Sequence, residues 1–190
     1  MEKLAIKRPL ESEGIPPLIE NPEEAMEIFA EILRRGAMFY TDANDATKDI
    51  REFIELCLSR KVDFLLVGGY ALAFHGAPRF TEDIDLMVLV SSENADKFFG
   101  VIESSGFANT GISREDFLEV GQVIQLGRAP NRIDLLTGIS GVTWEEAWAS
   151  RIPVSLDGFA IQAIGKEELM RNKKATGRPQ DFADLARLKG

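Results

Sequence analysis

Three aspartates in this chain stand in apolar surroundings, where an ionised carboxylate needs a reason to stay. Asp83 and Asp85 open the run Asp83-Ile84-Asp85-Leu86-Met87-Val88-Leu89-Val90, which reads as a strand. Strand side chains alternate, so Asp83 and Asp85 share one face while Ile84, Leu86 and Val88 take the other. Two adjacent carboxylates repel, and one tends to keep its proton unless a cation sits between them. A divalent metal is the simplest such cation. The third acid, Asp134, lies inside Ile133-Asp134-Leu135-Leu136, where burial is costly unless the charge is paired or binds metal. If its strand neighbours the first, three carboxylates converge. Clusters of this kind suit magnesium, and two ions can activate an attacking hydroxyl and stabilise a leaving pyrophosphate. Ahead of the acids, Val67-Gly68-Gly69-Tyr70 reads as a tight turn opening a short helix, whose free N–H groups favour phosphate. A phosphate cradle beside paired carboxylates points to metal-assisted phosphoryl chemistry.

The elements that must position these groups follow from pattern. Residues 1–20 mix charge with Gly14, Pro9, Pro16 and Pro17 and read as a surface or partly disordered arm. Asn21-Pro22-Glu23-Glu24 is a helix start, and that helix runs to Arg34-Arg35-Gly36. A second helix is expected over 45–60, with Ile50, Phe53, Ile54, Cys57 and Leu58 on one face. A strand over 62–67 leads into the glycine turn. Ser91-Ser92-Glu93-Asn94 caps a helix ending near Ser105-Gly106, whereas 107–121 carries no clear pattern. Segments 123–126 and 132–136 read as a hairpin, 143–149 as a short helix, and 152–156 with 159–164 as a strand pair turning at Asp157-Gly158. Two helices, 166–176 and 179–188, flank Gly177. Mixed strands and helices without strict alternation predict an α+β sheet flanked by helices, with residues 41–190 as the main domain and 1–40 as an N-terminal arm and extra helix.

At 190 residues the chain fits one sizeable core. No apolar run reaches bilayer length, the start lacks a signal-peptide core, and the single Cys57 forms no internal disulfide, so a cytoplasmic address is expected. A net charge of −9 lowers the expectation of nucleic-acid binding without removing a local basic patch.

The order Gly68-Gly69, short helix, Asp83-Ile84-Asp85 and later strand acid Asp134 resembles the nucleotidyltransferase superfamily that includes DNA polymerase beta. Arg79-Phe80-Thr81-Glu82-Asp83-Ile84-Asp85 and the tail from Asn172 to Leu185 resemble its minimal members, related to abortive-infection toxins and antibiotic nucleotidyltransferases. The resemblance covers about residues 61–190. It implies a nucleotidyltransferase-like mixed sheet and transfer of an NMP from a Mg-NTP to a hydroxyl, releasing pyrophosphate. It also implies Asp83 and Asp85 as ligands of two magnesium ions, with Asp134 as ligand and base. Many members place a serine after the first glycine; Tyr70 follows Gly68-Gly69 here, leaving phosphate to backbone N–H groups.

Other residues have functional and plain readings side by side. Lys173, Lys174 and Arg178 are either a solvated helix end or triphosphate ligands, with Lys174 the first choice. Arg79 is a loop charge or a phosphate clamp, and Thr81 a loop cap or part of the nucleotide site. His75, the only histidine, reads as a packing or hydrogen-bonding residue, since carboxylates already supply a base. Trp144 and Trp148, four apart, read as core packing, as does Cys57. The Met26/Phe29/Leu33 stripe docks the extra helix on the domain or meets an antitoxin or a second copy. The acceptor is open among tRNA, protein and small molecule, with a toxin-like role on a macromolecule favoured. The rival to an enzyme is a non-catalytic nucleotide- or protein-binding module, such as a toxin–antitoxin component. A metal-dependent phosphohydrolase lacks a histidine-rich site.

Overall fold

In the computed structural model, residues 18–37, 43–107, 111–128 and 132–189 are described. The elements in chain order are α1 (Pro22–Ala37), α2 (Ala43–Ser59), β1 (Phe64–Leu66), α3 (Gly68–Phe74), β2 (Asp83–Val88) and α4 (Ser92–Ser104). After a 3-10 turn (Arg114–Phe117) come β3 (Val123–Leu126), β4 (Arg132–Leu136), α5 (Trp144–Ala149), β5 (Ile152–Leu156), β6 (Phe159–Ala163), α6 (Lys166–Thr176) and α7 (Pro179–Lys189).

The helix starts follow the capping chemistry. Asn21 Oδ1 accepts from Glu23 N at 2.9 Å, and Ser91 Oγ accepts from Asn94 N at 3.1 Å. Gly177, at φ 69°, ends α6 in the left-handed conformation that glycine adopts without a Cβ penalty. Asp157 and Gly158 both take positive φ between β5 and β6, the geometry of a two-residue hairpin turn. The unassigned stretch after α4 contains the 3-10 turn, closed by a reciprocal Ser113–Asp116 capping box. Its Phe117 is buried and stacks on Phe98 at 5.0 Å. Most of the proposed N-terminal arm, and the Leu33 side chain of the α1 stripe, fall outside the described residues.

The six strands form one mixed sheet in the order β3-β4-β2-β1-β6-β5. β2 runs parallel to β4 and antiparallel to β1; β1 runs parallel to β6. The pleat sorts the strand side chains onto two faces. Ile84, Leu86, Val88, Ile133 and Leu135 join Phe53, Ile54, Phe98 and Ile102 of α2 and α4 in one apolar core. Leu65, Val67 and Met87 join Leu72, Ala147, Leu169 and Leu188 from α3, α5, α6 and α7 in a second. Asp83, Asp85 and Asp134 belong to this second face. The first core anchors the sheet while the second leaves the carboxyl-bearing ends of β2 and β4 facing α6.

α1 packs on α3 through Phe29, which is buried and meets Tyr70 edge-on at 4.9 Å. Cys57 is fully buried, as its helix face predicts. His75 is half-buried, and its Nε2 lies 2.8 Å from the Ile164 carbonyl, a structural bond from α3 to the end of β6. Burial lowers its pKa, with Lys166 acting the same way and the Ile164 bond opposing. The neutral ring therefore donates Nε2–H to that carbonyl. Trp144 and Trp148 stack at 5.2 Å and pack, half-buried, against the second core. Among the described residues, no helix is long and apolar enough to cross a membrane.

Candidate active site

The site begins with strand register. In the parallel β2–β4 pair, Asp85 is opposite Asp134 and Asp83 is opposite Arg132. Paired residues point to the same face, so all four side chains stand on one patch of sheet. One oxygen from each of Asp83, Asp85 and Asp134 lies within 4.8 Å of the other two. Three hard oxygen donors at this separation fit a cation such as magnesium.

The glycine turn closes on this patch. Gly68 adopts φ +62°, and a Cβ there would overlap the Asp85 carboxylate. Only glycine lets the backbone approach so closely without strain. A Cβ on Gly69 would stand 3.0 Å from Thr81, and the Gly69 N–H bonds the Asp85 carboxylate. Asp85 has its pKa pushed up to about 6, by burial first and then by the charges of Asp83 and Asp134; Lys173 and the Gly69 bond oppose the rise.

Each carboxylate has its own partners. Thr81 Oγ1 donates to Asp83 Oδ1 at 2.6 Å. Gln125 Nε2, across from Asp134 on β3, lies 3.3 Å from both of its oxygens. Arg132 donates from Nε to Asp134 Oδ1 at 2.9 Å and from Nη2 to Asp83. Burial works against the Arg132 charge, but the Asp134 and Asp83 charges outweigh it and push its pKa further up.

Across the site stands a charge network tied by two fully buried acids of α7. Asp184 accepts from Arg79 Nε at 2.8 Å and from Arg79 Nη2 at 3.1 Å, and pairs with Lys173 Nζ at 2.9 Å. Asp181 accepts from Lys173 Nζ at 3.1 Å and from Arg178 Nε at 2.8 Å. Burial alone would raise both carboxyls; the hydrogen bonds and charges of their basic partners overcome it and hold both below the ordinary range.

One cleft of about 720 Å³ opens onto the carboxylates and the basic side chains. Gly68, Gly69, Arg79, Thr81, Asp83, Asp85, Asp134, Lys173 and Arg178 all face it. Lys174 does not: it is exposed and outside the lining, while Lys173 is buried at 3% exposure. One residue along a helix turns the side chain by about 100°. For Lys173, the picture of a solvated helix end gives way to a buried ammonium between two aspartates.

Sequence reasoning passed over Arg132, Gln125, Asp181 and Asp184. The i−2 spacing of Arg132 from Asp134 is a legible signal, since it predicts a shared face. Asp181 and Asp184, three apart in the first turns of a helix, could be seen as one face, but not as facing Lys173.

Residues 58–189 match the family described as AbiEii, the nucleotidyl transferase AbiEii toxin of Type IV TA systems. The chain belongs to this family. The α+β architecture is that of the nucleotidyltransferase-like fold, and the AbiEii match spans the chain from the end of α2 to α7. The chain is also similar, at low identity, to solved structures. The solution structure of the antibiotic-resistance factor ANT(2'')-Ia is 14% identical, with a TM-score of 0.47 over 76% of this chain and 82% of that one. An antigenic nucleotidyltransferase-like protein from Paracoccidioides brasiliensis is 20% identical, with a TM-score of 0.46 over 76% and 75%. ANT(2'')-Ia in complex with adenylyl-2''-tobramycin is 14% identical, with a TM-score of 0.45 over 75% and 86%. No curated protein matches the chain.

Proposed function

We propose that this AbiEii-family chain is an active nucleotidyltransferase that moves an NMP from a Mg-NTP to a hydroxyl acceptor and releases pyrophosphate. One observation carries the reading: Asp85 and Asp134 pair in register on parallel strands, with Asp83 on the same face, in a cleft also lined by Arg79, Lys173 and Arg178. Asp83, Asp85 and Asp134 would hold the magnesium, two ions in the full complex, which supplies charge neutralisation at the phosphates and a more acidic acceptor hydroxyl.

The chain's own groups do the positioning. Arg79, Lys173 and Arg178 draw the triphosphate into the cleft, with Asp181 and Asp184 holding the three cations in place. Thr81 orients Asp83 through its 2.6 Å bond, and the Gly68-Gly69 turn fixes Asp85. Asp134, oriented by Gln125, takes the proton of the acceptor hydroxyl as the hydroxyl oxygen bonds to the α-phosphorus. The bond from that phosphorus to the bridging oxygen breaks, and pyrophosphate leaves. Catalysis on this scheme is chiefly alignment and electrostatics, as phosphoryl transfer requires.

The acceptor is a tRNA, a protein or a small molecule, with a macromolecule favoured by membership of a toxin family. An antitoxin or a second copy would meet the chain through α1, residues 41–190 would carry the catalytic unit, and a cytoplasmic setting fits an NTP substrate. The test is incubation of wild type and Asp85→Ala with each labelled NTP, magnesium and cell extract, followed by mass spectrometry of labelled components. Labelling by wild type alone supports the reading. An unlabelled extract, or equal labelling by both proteins, refutes it.

A further inference from the structure

β4 brings a fourth charged group to the acid cluster, and it is a cation. Arg132 lies opposite Asp83 and two residues before Asp134, so the pleat places it on the acid face. Its guanidinium spans the two acids, through Nε to Asp134 at 2.9 Å and through Nη2 to Asp83. These are two of the three carboxylates whose oxygens cluster within 4.8 Å. The Arg132 side chain is 32% exposed and lines the cleft, so it has an open path away from the acids.

A carboxylate oxygen that accepts from a guanidinium has fewer lone pairs free for a metal. A divalent ion held by Asp83 and Asp134 would also stand beside a fixed positive charge, and like charges a few ångströms apart repel strongly. The two cations therefore compete for the same carboxylates. A planar guanidinium is also the side chain best shaped to grip phosphate with paired donors. Once displaced, Arg132 is still within a cleft where a polyphosphate would give it new partners.

Resting on the proposal that the three acids bind metal, we infer that Arg132 is a resident counter-ion that holds Asp83 and Asp134 together until a divalent cation displaces it. Arg132 thereby sets the intrinsic metal affinity of the site. It also couples metal to nucleotide: a polyphosphate that accepts the displaced guanidinium makes metal entry easier, and the coupling is reciprocal.

The experiment titrates Mn²⁺ alone, by calorimetry, into wild type, Arg132→Gln and Asp85→Asn. In parallel, the Arg132 Nε–H resonance of the ¹⁵N-labelled wild type is followed from EDTA to saturating Mg²⁺, assigned by its loss in Arg132→Lys. Removing one charge-assisted competitor should tighten Mn²⁺ binding to Arg132→Gln by about tenfold or more. The wild-type Nε–H should shift and lose its exchange protection as metal saturates. Wild type that binds Mn²⁺ while Arg132→Gln binds no tighter, or an Nε–H signal unmoved at saturation, overturns the inference and leaves the metal site standing. Absence of Mn²⁺ binding to wild type and Arg132→Gln, or Asp85→Asn binding as tightly as wild type, removes the metal site itself, and the inference with it. If Arg132→Gln does not fold, the wild-type Nε–H readout decides alone.

Discussion

Asp85 holds the least comfortable carboxylate of the site. It sits under the glycine turn between Asp83 and Asp134, with its pKa pushed up to about 6 from an ordinary 3.8. Its charge therefore costs stability, about 3 kcal/mol at neutral pH without metal. Asp85→Asn should raise the melting temperature of EDTA-treated protein at pH 8 while cutting transferase activity by about a thousandfold or more. A variant that lost both activity and stability would mean that Asp85 is structural. The neighbouring lysines make a sharper contrast. Lys173→Met strands Asp181 and Asp184 as buried acids short of a partner, so it should destabilise by about 3 kcal/mol and weaken NTP binding at least tenfold. Lys174→Ala, at an exposed position outside the cleft lining, should leave both within error. Denaturant titration and nucleotide-binding calorimetry on the pair check this.

At the scale of elements, the β1–α3 connection and the α1–α3 packing do different work. The connection must bring backbone against a carboxylate, which only a glycine at φ +62° permits. Gly68→Ala should cost about 1–3 kcal/mol in backbone strain and displace Asp85, so activity falls further than stability predicts. Melting and kinetics measured on one preparation separate the two effects. The α1 contact is ordinary core burial, with Phe29 1% exposed against the Tyr70 ring. Phe29→Ala should cost about 3 kcal/mol in stability and leave kcat nearly unchanged in the folded fraction, read by thermal melts and kinetics below the melting point. A collapse of kcat at full folding would instead give α1 a part in shaping the site.

Over the whole molecule, two acid groups with opposite shifts shape the pH response. Asp181 and Asp184 have folded pKa values depressed below 3.8 by Arg79, Lys173 and Arg178 overcoming burial. Their contribution is fully present above about pH 4 and is lost as pH falls through the depressed values. Asp85 is raised, so the folded state binds the extra proton between about pH 4 and 6, and stability falls as pH rises through that window. Metal-free protein should therefore be most stable near pH 4–5 in denaturant titrations. Saturating Mg²⁺ should remove the loss on the alkaline side by favouring the ionised cluster. A metal-free curve that rises steadily from pH 4 to 7 would contradict the assignment of Asp85.

Local pattern carried most of the elements, because capping residues, glycine turns and the two-residue strand period are set by neighbours in the chain. Asn21, Ser91, Asp157-Gly158 and Gly177 each behave as their local chemistry requires. The shared face of Asp83 and Asp85 was legible for the same reason. That Asp134 meets them was not, since it depends on β4 lying parallel to β2 in one register; a slip by one residue would send Asp134 into the apolar core. Likewise the sequence shows two adjacent lysines, and only the packing of α6 against α7 selects Lys173 over Lys174. The place of Arg132 among the acids was equally a matter of which strands pair. Residue type sets what chemistry is available; contacts between distant segments, formed only as the chain buries its two cores, decide which groups share it.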